Sequence, residues 1–580
     1  MKLSDYVAKF LAEISDYAFV GQGSCVIHIL DSIDKRDDIR SISSQNEQGA
    51  SLAADAYSRA SGKIGVSIAT SGPGLLNLLQ GVGCSFFDSI PHIIISGAVP
   101  TNQSRKSKNL RQLGFQEMEV VDIVNPLTKY AVLLKDPNKI KYELEKMLYV
   151  AVSGRPGPVL MDLPDDLQRC EIDELTLEGF IEPKKKKLDI SDKITQTIEL
   201  LECAKRPLII VGNGVKLADA KKLLSKFIDR TGIPFLLTWA AFDLYGYEEE
   251  NRVGTFGVAA TRYGNLTVQN SDLLICLGTR LSYQMTGTNR KSFGPKAKKI
   301  IVEIDEDELF KENGVKPDLA ILSCVKEFLH QISLQEINTN QKDIMVWKDW
   351  IKHTRSMFPI CQKRYWSEEK YVNPYVFFDV LSDYLGETDV IIPDSSANLI
   401  WLYQALKPKE GQNIFTALNH SPMGYSIAAS VGAKLGCIEK NVIAVIGDGS
   451  VSMNVQELET IAYNKLPVKI FIINNQGYGL IKGTQEVYLD KNYVGVDKFS
   501  GLGIPDFQKI ANSYNIKYLS LDNHNDIGRM LKSILNMNEP IICDVKIDPD
   551  QRVIPKLDAG KPIHDMTPYI SGSELKDLMI

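Results

Sequence analysis

Asn441-Val-Ile-Ala-Val-Ile-Gly447-Asp448-Gly449-Ser450 joins a short apolar run to a glycine-flanked aspartate. An apolar run of this length is typical of a buried parallel strand, and Gly-Asp-Gly marks the turn that ends it. Residues 451–464 then predict one helix, and residues 468–473 predict a second buried strand that leads into Asn474-Asn475. This pattern predicts a β-α-β unit, in which both strand ends reach the same edge of a parallel sheet.

The residues at this edge are suited to a metal ion that also binds a diphosphate. Mg²⁺ prefers a near-octahedral shell of oxygen ligands and rarely takes all of them from protein. We therefore predict that the Asp448 carboxylate, the Asn475 amide oxygen and the Gly477 carbonyl bind Mg²⁺, while phosphate oxygens complete the shell. A simple turn followed by a polar loop is the alternative, which the tetrapeptide alone favours. The strand-helix-strand context favours the metal site.

Length and composition narrow the class of protein. The chain has 580 residues, 44% of them hydrophobic and 24% charged, with a formal net charge of −6. This length predicts three domains, and the lack of a basic excess argues against a nucleic-acid partner. The mixed charges of the first residues and the interrupted apolar runs predict neither a signal peptide nor a membrane span. Nine cysteines without a CxxC pair favour a reducing cytoplasm and argue against zinc or a disulfide framework.

Strand and helix patterns alternate along the whole chain. They predict an α/β fold of three doubly wound, mainly parallel-sheet domains. Connectors at residues 182–189, which contain four consecutive lysines, and near residues 333–342 separate them. The predicted limits are residues 1–175 for the N-terminal domain, 190–335 for the middle domain, 365–550 for the C-terminal domain and 551–580 for a tail. The first and third domains share size and pattern, which predicts similar structures.

Several segments resemble thiamine diphosphate enzymes, in particular their acetolactate synthase-like group, and occur in that family's order. Besides the Gly-Asp-Gly and Asn-Asn motifs, they are residues 47–62, Val66-Ser-Ile-Ala-Thr-Ser-Gly-Pro-Gly74, Asp88-Ser-Ile-Pro91 and Arg155-Pro-Gly-Pro-Val-Leu-Met-Asp-Leu-Pro164. The resemblance implies an N-terminal pyrimidine-binding domain, a C-terminal domain that binds diphosphate and Mg²⁺, and thiamine diphosphate as cofactor.

The resemblance assigns the catalytic role to Glu47, which lies in the first turn of a helix after the strand-like Ile39-Arg-Ser-Ile42. In the family this carboxyl group shares a proton with the cofactor's aminopyrimidine, which activates the thiazolium. From the sequence alone, a glutamate at this place is also explained as a partner of the helix dipole.

The same resemblance implies the remaining cofactor contacts. Met423 aligns with the apolar wedge that folds the cofactor, and the Ser421 carbonyl with the acceptor of its amine. This chain has Ser421-Pro422 where the family has Gly-Thr, and the proline restricts the backbone. The alternatives are a core-filling methionine and, at Asp394-Ser-Ser-Ala-Asn398, a plain helix N-cap instead of a phosphate-binding helix start. The set predicted to bind thiamine diphosphate is Ser396, Ala397, Asn398, Ser421, Met423, Gly447, Asp448, Gly449, Ser450, Asn475 and Gly477.

Substrate and flavin contacts are implied by further matches. Gly114-Phe115-Gln116-Glu117 matches the carboligase branch, so Phe115 and Gln116 are expected to contact substrate, as are Gly23 and Ser24. His28 is expected to lie on a helix face and not to act as an acid or base. The middle domain resembles the family's non-redox FAD site, although Ser282-Tyr-Gln-Met285 replaces the usual residues after Gly278-Thr-Arg280. The residues predicted to contact FAD are Gly212, Gly214, Arg280 and Asp305.

Together these residues imply a carboligase dependent on thiamine diphosphate and Mg²⁺. It would decarboxylate pyruvate or a related 2-keto acid and transfer the acyl unit to a carbonyl acceptor. The tail, which is the active-site lid of the family, departs from the family's pattern and suggests a keto sugar as acceptor. The resemblance also implies a homodimer or homotetramer with sites at the subunit interface. The alternatives are a 2-keto acid decarboxylase or cyclic-diketone hydrolase of the same cofactor class, a flavin-dependent oxidoreductase, and a non-catalytic homologue.

Overall fold

The computed structural model describes residues 1–107, 109–184 and 188–580. It contains three six-stranded sheets in which every strand pair is parallel. Helices connect successive strands and cover both faces of the sheets. The predicted class, α/β with three doubly wound domains, is confirmed. Residues 185–187 of the first predicted connector lie outside the described residues.

The N-terminal sheet has the strand order β2-β1-β3-β4-β6-β5. Its strands are β1 (Tyr17–Val20), β2 (Arg40–Ser43), β3 (Gly65–Ala69), β4 (His92–Ala98), β5 (Tyr130–Leu133) and β6 (Pro158–Pro164). Its helices are α1 (Leu3–Ile14), α2 (Ile27–Asp34), α3 (Glu47–Ser61), α4 (Pro73–Asp88), α5 (Val120–Val124), α6 (Ile140–Val152) and α7 (Asp165–Gln168). The chain reverses its direction of travel across the sheet between β1 and β3, which places a ligand-binding crevice at their carboxyl ends.

The middle sheet has the order β12-β11-β10-β7-β8-β9. Its strands are β7 (Pro207–Val211), β8 (Phe235–Leu237), β9 (Arg252–Thr255), β10 (Leu273–Leu277), β11 (Lys298–Glu303) and β12 (Leu319–Leu322). Its helices are α8 (Ser191–Cys203), α9 (Asn213–Leu217), α10 (Lys221–Thr231), α11 (Arg262–Asn270), α12 (Tyr283–Thr286), α13 (Glu306–Leu309) and α14 (Val325–Ser333), and α15 (Gln341–Met357) leads on to the next domain.

The C-terminal sheet has the order β14-β13-β15-β16-β18-β17. Its strands are β13 (Val390–Pro393), β14 (Asn413–Ile414), β15 (Val442–Gly447), β16 (Lys469–Asn474), β17 (Lys517–Leu521) and β18 (Ile541–Lys546). Its helices are α16 (Pro374–Tyr384), α17 (Ser396–Ala405), α18 (Tyr425–Gly436), α19 (Asp448–Val451), α20 (Glu457–Tyr463), α21 (Gly479–Tyr488), α22 (Phe507–Ser513) and α23 (Ile527–Leu535). Counted from its own first strand, this order is the same as that of the N-terminal sheet, as the shared pattern of the two domains predicted.

Helices α3 and α18 join the N-terminal and C-terminal domains. Each follows the second strand of its own domain, and the two backbones approach very closely: a Cβ atom on Gly432 would lie 1.8 Å from the Ala53 carbonyl oxygen. The Tyr425 hydroxyl donates to the buried Asp55 carboxylate at 2.6 Å across the same contact. The first residues of both helices are therefore fixed relative to one another.

The prediction of one helix over residues 451–464 is wrong. The chain forms the short α19 and then α20, and it turns between them at the fully buried Asn454. The Asn454 side chain donates to the Gly424 carbonyl at 3.1 Å. Asparagine has low helix propensity because its amide competes with the backbone for hydrogen bonds, so this tertiary contact interrupts the helix.

The C-terminal tail packs against the middle domain. It contains β19 (Lys556–Leu557), β20 (Met566–Thr567) and α24 (Gly572–Leu578), and β19 pairs antiparallel with β20. The wholly buried helix α11 holds it by side-chain hydrogen bonds to tail carbonyls, from Asn265 to Ile563 and from Asn270 to Leu578. Among the described helices, none combines the length and the apolarity needed to cross a bilayer.

Candidate active site

Asp448 is the first residue of α19 and follows β15 directly, with 1% of its surface exposed. Its Oδ2 accepts the Gly477 N–H at 3.0 Å, and its Oδ1 accepts the neighbouring Gly449 N–H at 2.6 Å. Burial raises the pKa of the carboxyl group to about 7, although these backbone donors oppose the rise. A carboxyl group whose ionisation is disfavoured by burial gains from a nearby cation, as expected of a metal ligand.

The two adjacent asparagines at the end of β16 have different roles. The Asn474 amide donates to Asp544 Oδ1 at 2.9 Å and accepts the Gln476 N–H at 3.2 Å, so it fixes the loop. The side chain of Asn475 is nearly buried and makes no hydrogen bond to any described residue. Asn475 thus keeps an amide oxygen available beside Gly477. Asp544 is a site-supporting residue that the sequence analysis missed, and the carboxylate in the apolar run 541–545 was its only signal.

The start of α17 supplies backbone donors at the same edge. Ser395, at the N-cap, makes no capping hydrogen bond in the described chain, and its hydroxyl donates to Asp394 Oδ2 at 3.3 Å instead. A plain N-cap therefore does not explain these serines. A Cβ atom on Gly447 would lie 3.2 Å from Asn398 Nδ2, and Asn398 Oδ1 is buried with no partner among the described residues. These groups fit a bound diphosphate, since uncapped N–H groups at a helix start bind anions.

Asp394 organises the segment that carries Met423. Its Oδ2 accepts the Gly424 N–H at 3.1 Å and its Oδ1 accepts the Ser426 N–H at 3.0 Å, which fixes the start of α18. Met423 is half-buried and Ser421 is exposed just before it. A Cβ atom on Gly424 would lie 3.2 Å from the Ser450 carbonyl oxygen, so this segment lies against α19. The sequence analysis quoted Asp394 without giving it a role.

Glu47 lies at the matching edge of the N-terminal sheet, as the first residue of α3. Its Oε2 accepts a hydrogen bond from the Asn77 amide at 2.9 Å. A Cβ atom on Gly21 would lie 2.2 Å from Glu47 Cγ, and one on Gly74 would lie 3.5 Å from Oε1. Gly21 therefore leaves the space that the Glu47 side chain occupies, whereas Gly74, in the first turn of α4, is in ordinary contact with it.

Two of the predicted substrate residues, Gly23 and Gln116, contact the turn after β3. A Cβ atom on Gly23 would lie 2.3 Å from Thr70 Cβ, and the loop that contains Ser24 follows directly. The Gln116 carbonyl oxygen would lie 2.7 Å from a Cβ atom on Gly72, so its loop reaches the turn after β3, while Phe115 is 81% exposed. His28 lies in α2, as predicted.

Of the twelve non-glycine residues with a positive φ in the described chain, four lie in these segments. Gln116, Ser396, Ser421 and Gln476 have φ angles of 65°, 66°, 52° and 58°, in the left-handed region that non-glycine residues rarely adopt. Each of these four residues is itself a predicted contact residue or is next to one in the sequence. Strain of this kind costs about 1–3 kcal/mol per residue and clusters at functional sites, where surrounding contacts enforce it.

The structure gathers the predicted residues into two groups, and no hydrogen bond in the described chain joins them. Glu47 contacts residues of the N-terminal domain only, whereas Asp448, Asn475, Gly477, Ser421 and Met423 lie at the edge of the C-terminal sheet. The residue before Glu47 contacts the C-terminal domain: the Asn46 N–H, at the N-cap of α3, donates to Glu457 Oε1 at 3.1 Å.

The predicted flavin residues lie at the carboxyl edge of the middle sheet, but each has a partner within the chain. A Cβ atom on Gly212 would lie 2.1 Å from the Gly278 carbonyl oxygen, and one on Gly214 would lie 2.7 Å from Gly278 Cα, so both glycines serve close packing. Asp305 caps α13 and pairs with Arg155 at 3.0 Å, and Arg280 pairs with Glu308 at 2.8 Å. Open α/β proteins bind ligands at such an edge, but here Asp305 and Arg280 are already engaged within the chain.

Two parallel-sheet domains of one topology, one with a carboxylate at its edge and the other with an Asp-Asn-Gly group beside an uncapped helix start, define a class of α/β enzymes that bind a diphosphate cofactor. Three family models match in the corresponding order: the thiamine pyrophosphate enzyme N-terminal TPP binding domain over residues 1–123, the central domain over 194–332 and the C-terminal TPP binding domain over 394–545. The chain belongs to the thiamine pyrophosphate enzymes, in their acetolactate synthase-like group.

Its relatives match over nearly their whole length. The chain is 31% identical to the acetolactate synthase large subunit of Porphyra purpurea over 531 residues, which cover 90% of this chain and 87% of the relative. It is 31% identical to the probable acetolactate synthase large subunit of Methanocaldococcus jannaschii over 565 residues, with 95% and 92% covered. For the acetolactate synthase large subunit of Corynebacterium glutamicum the values are 29% over 586 residues, with 98% and 91% covered.

We expect Ser421→Gly to stabilise the protein, because glycine adopts the left-handed conformation of this residue without the steric cost of a Cβ atom. The gain should be about 1 kcal/mol in the free energy of unfolding, measured by denaturant titration. Ser452→Gly is the matched control, since Ser452 is also exposed but has an ordinary φ of −65°. The control should lose stability, and a loss in both variants would contradict the strain at Ser421.

Proposed function

We propose that this enzyme is a carboligase dependent on thiamine diphosphate and Mg²⁺, which decarboxylates pyruvate or a related 2-keto acid and joins the acyl unit to a carbonyl acceptor. The observation that carries the proposal is the pair of complementary edges, with Glu47 on one sheet and the Asp448 group on the other. The family models matched over residues 1–123 and 394–545 include both edges. Bound thiamine diphosphate would supply the electron sink for decarboxylation.

In this proposal, the residues of the C-terminal edge bind and shape the cofactor. Asp448, Asn475 and the Gly477 carbonyl would hold Mg²⁺, which would supply positive charge to offset that of the diphosphate. Backbone N–H groups at Ser396 and Ala397 would bind phosphate, and Asn398 and the backbone of Gly447, Gly449 and Ser450 would complete the site. The Ser421 carbonyl would accept a hydrogen bond from the cofactor's amine, and Met423 would give the cofactor apolar support.

Glu47 would exchange a proton with the cofactor, at the end opposite the diphosphate. Its Oε1 faces Gly74 and its Oε2 is held by Asn77, so the carboxyl group has a fixed direction. A carboxyl oriented in this way can exchange a proton with a ring nitrogen, as general acid–base catalysis requires. Gln116 and Gly23 contact the turn after β3, and together with Ser24 they would contact substrate, while Phe115 would cover the acceptor.

A second copy of the chain would complete each site, in a homodimer or homotetramer. Exposed apolar side chains lie beside both edges: Leu76 adjoins Asn77, and Ile481 lies in the helix that follows the Asn475 loop, with 47% and 49% exposure. Exposed apolar residues next to functional groups are typical of interaction surfaces. The C-terminal tail, which packs on α11 of the middle domain, would close over the site. We propose a keto sugar as the acceptor.

A second candidate function, plain 2-keto acid decarboxylation, follows from the same edges and differs only in the acceptor. Product analysis separates the two. With pyruvate and a panel of aldehydes, 2-keto acids and keto sugars, the carboligase should release carbon dioxide and form a ligated product. Acetaldehyde formed at an unchanged rate, whichever acceptor is added, would contradict the carboligase proposal.

Glu47→Gln should lower the rate of carbon dioxide release by at least about a hundredfold, because glutamine cannot exchange the proton. Thiamine diphosphate should still bind, as calorimetry would show, since the C-terminal edge is unchanged. The exposed Glu13 provides the control variant, Glu13→Gln, which should keep full activity. An undiminished rate in Glu47→Gln would favour the flavin oxidoreductase alternative.

Binding of Mg²⁺ with thiamine diphosphate should weaken as the pH falls. The pKa of Asp448 is raised to about 7, so the metal competes with a proton below that pH. Between about pH 8 and about pH 6 the ionised fraction falls roughly tenfold, and the apparent metal affinity should fall by a similar factor. Calorimetric titration at both pH values measures it; an affinity independent of pH would show that Asp448 is not a metal ligand.

We also propose FAD as a non-redox cofactor of the middle domain, held by the backbone of Gly212 and Gly214 and by Arg280, with Asp305 at its edge. The purified protein should then show flavin absorbance. Arg280→Ala should lower it, because the guanidinium group adjoins this edge. Lys298→Ala, at the opposite end of the middle sheet in an exposed ion pair with Asp318, is the control. A colourless wild-type protein that takes up no added FAD would refute the flavin.

A further inference from the structure

The N-terminal domain holds the 416–424 loop by hydrogen bonds. This loop leads into α18 and contains the predicted cofactor contacts Ser421 and Met423. Asp88, the buried last residue of α4, accepts four hydrogen bonds there. Three come from the loop: the Leu418 N–H at 2.9 Å, the Asn419 N–H at 3.1 Å and the Asn419 side-chain amide at 2.6 Å. The fourth comes from Arg59 at 3.0 Å.

Arg59, in the last turn of α3, also forms hydrogen bonds to this loop and to Asp88. Its guanidinium group lies between Asp88 and Asp55 and donates to the Thr416 carbonyl at 3.0 Å. Asp55 also accepts the Tyr425 hydroxyl at the start of α18. All of these charged side chains are nearly fully buried, so removal of any one leaves an uncompensated charge in the interior.

Two further contacts define the loop. The ring of His420 stacks on Phe87, with centroids 5.5 Å apart and planes 16° apart. At its far end the Gly424 N–H donates to Asp394. The loop is therefore fixed at both ends, and Ser421 between them is held at a φ of 52° that it would not adopt freely.

We propose that Asp88 and Arg59 are positioning residues of the active site, which set the place of Ser421 and Met423 without touching cofactor or substrate. The inference rests on the proposed function, which gives those two residues their cofactor contacts. Helix α3 then serves catalysis at both of its ends, since Glu47 begins it and Arg59 lies in its last turn. A loop displaced by about 1 Å would misplace the cofactor rings, and misplacement of this size costs about a hundredfold in rate.

Asp88→Asn tests the proposal, because it keeps the size of the side chain but removes its charge and one acceptor. We expect kcat for carbon dioxide release to fall about ten- to a hundredfold and the KM for pyruvate to stay within about twofold, since the defect lies in cofactor geometry. The near-ultraviolet circular dichroism of bound thiamine diphosphate should change. Asn419→Ala, an exposed substitution that removes the side-chain hydrogen bonds to Asp88 and to the Phe87 carbonyl, should act in the same direction by about two- to fivefold.

Asp389→Asn is the matched control. Asp389 is a buried carboxylate that accepts the Gly386 N–H at 2.7 Å, but it lies just before β13, at the opposite edge of the C-terminal sheet. It should lower the melting temperature as Asp88→Asn does and leave kcat and the dichroism unchanged. Equal kcat losses in the two variants, or an unchanged dichroism in Asp88→Asn, would overturn the positioning role. Failure of the proposed function would instead show in the wild-type protein, as absent decarboxylation.

Discussion

The close approach of α3 and α18 is the contact on which the rest of the structure depends. Gly432 lets the two helix backbones meet, and the buried Asp55, Arg59 and Tyr425 hold them at one relative position. Buried charges are costly unless all of their partners are present, so this contact is specific as well as close. Glu47 begins α3, and Ser421 and Met423 lie just before α18, so this contact sets the positions of these three residues.

The C-terminal edge is organised mainly by hydrogen bonds from backbone groups. Asp448 and Asp394 are buried acceptors for N–H groups of neighbouring loops, and Asn474 closes its own loop. This arrangement costs free energy, because it includes a carboxyl group whose ionisation is disfavoured and several residues in strained conformations. Neither would persist without the surrounding sheet, which is why the polar groups lie at strand ends and not in mobile segments.

Much of this arrangement could be predicted from the sequence, because short apolar runs ended by glycine and aspartate identify parallel strands and their functional edge. The strands at 442–447 and 469–474 came from that pattern, as did the similarity of the first and third domains. The sequence pattern could not predict contacts between distant segments. Three features depend on packing between distant segments, which produces no periodic pattern in the sequence. They are the helix break at Asn454, the hydrogen bonds of Asp394 and the hydrogen bonds of Asp88 to residues 418–419.

The common strand order gives the N-terminal and C-terminal domains the same winding. Their equivalent helices, α3 and α18, pack on each other as identical subunits do about a two-fold axis. The polar groups at the two edges nevertheless differ: the N-terminal domain has an acidic residue at the start of α3, whereas the C-terminal domain has an aspartate and an asparagine directly after its strands. A near-symmetric pair of domains within one polypeptide therefore presents two different sets of chemical groups.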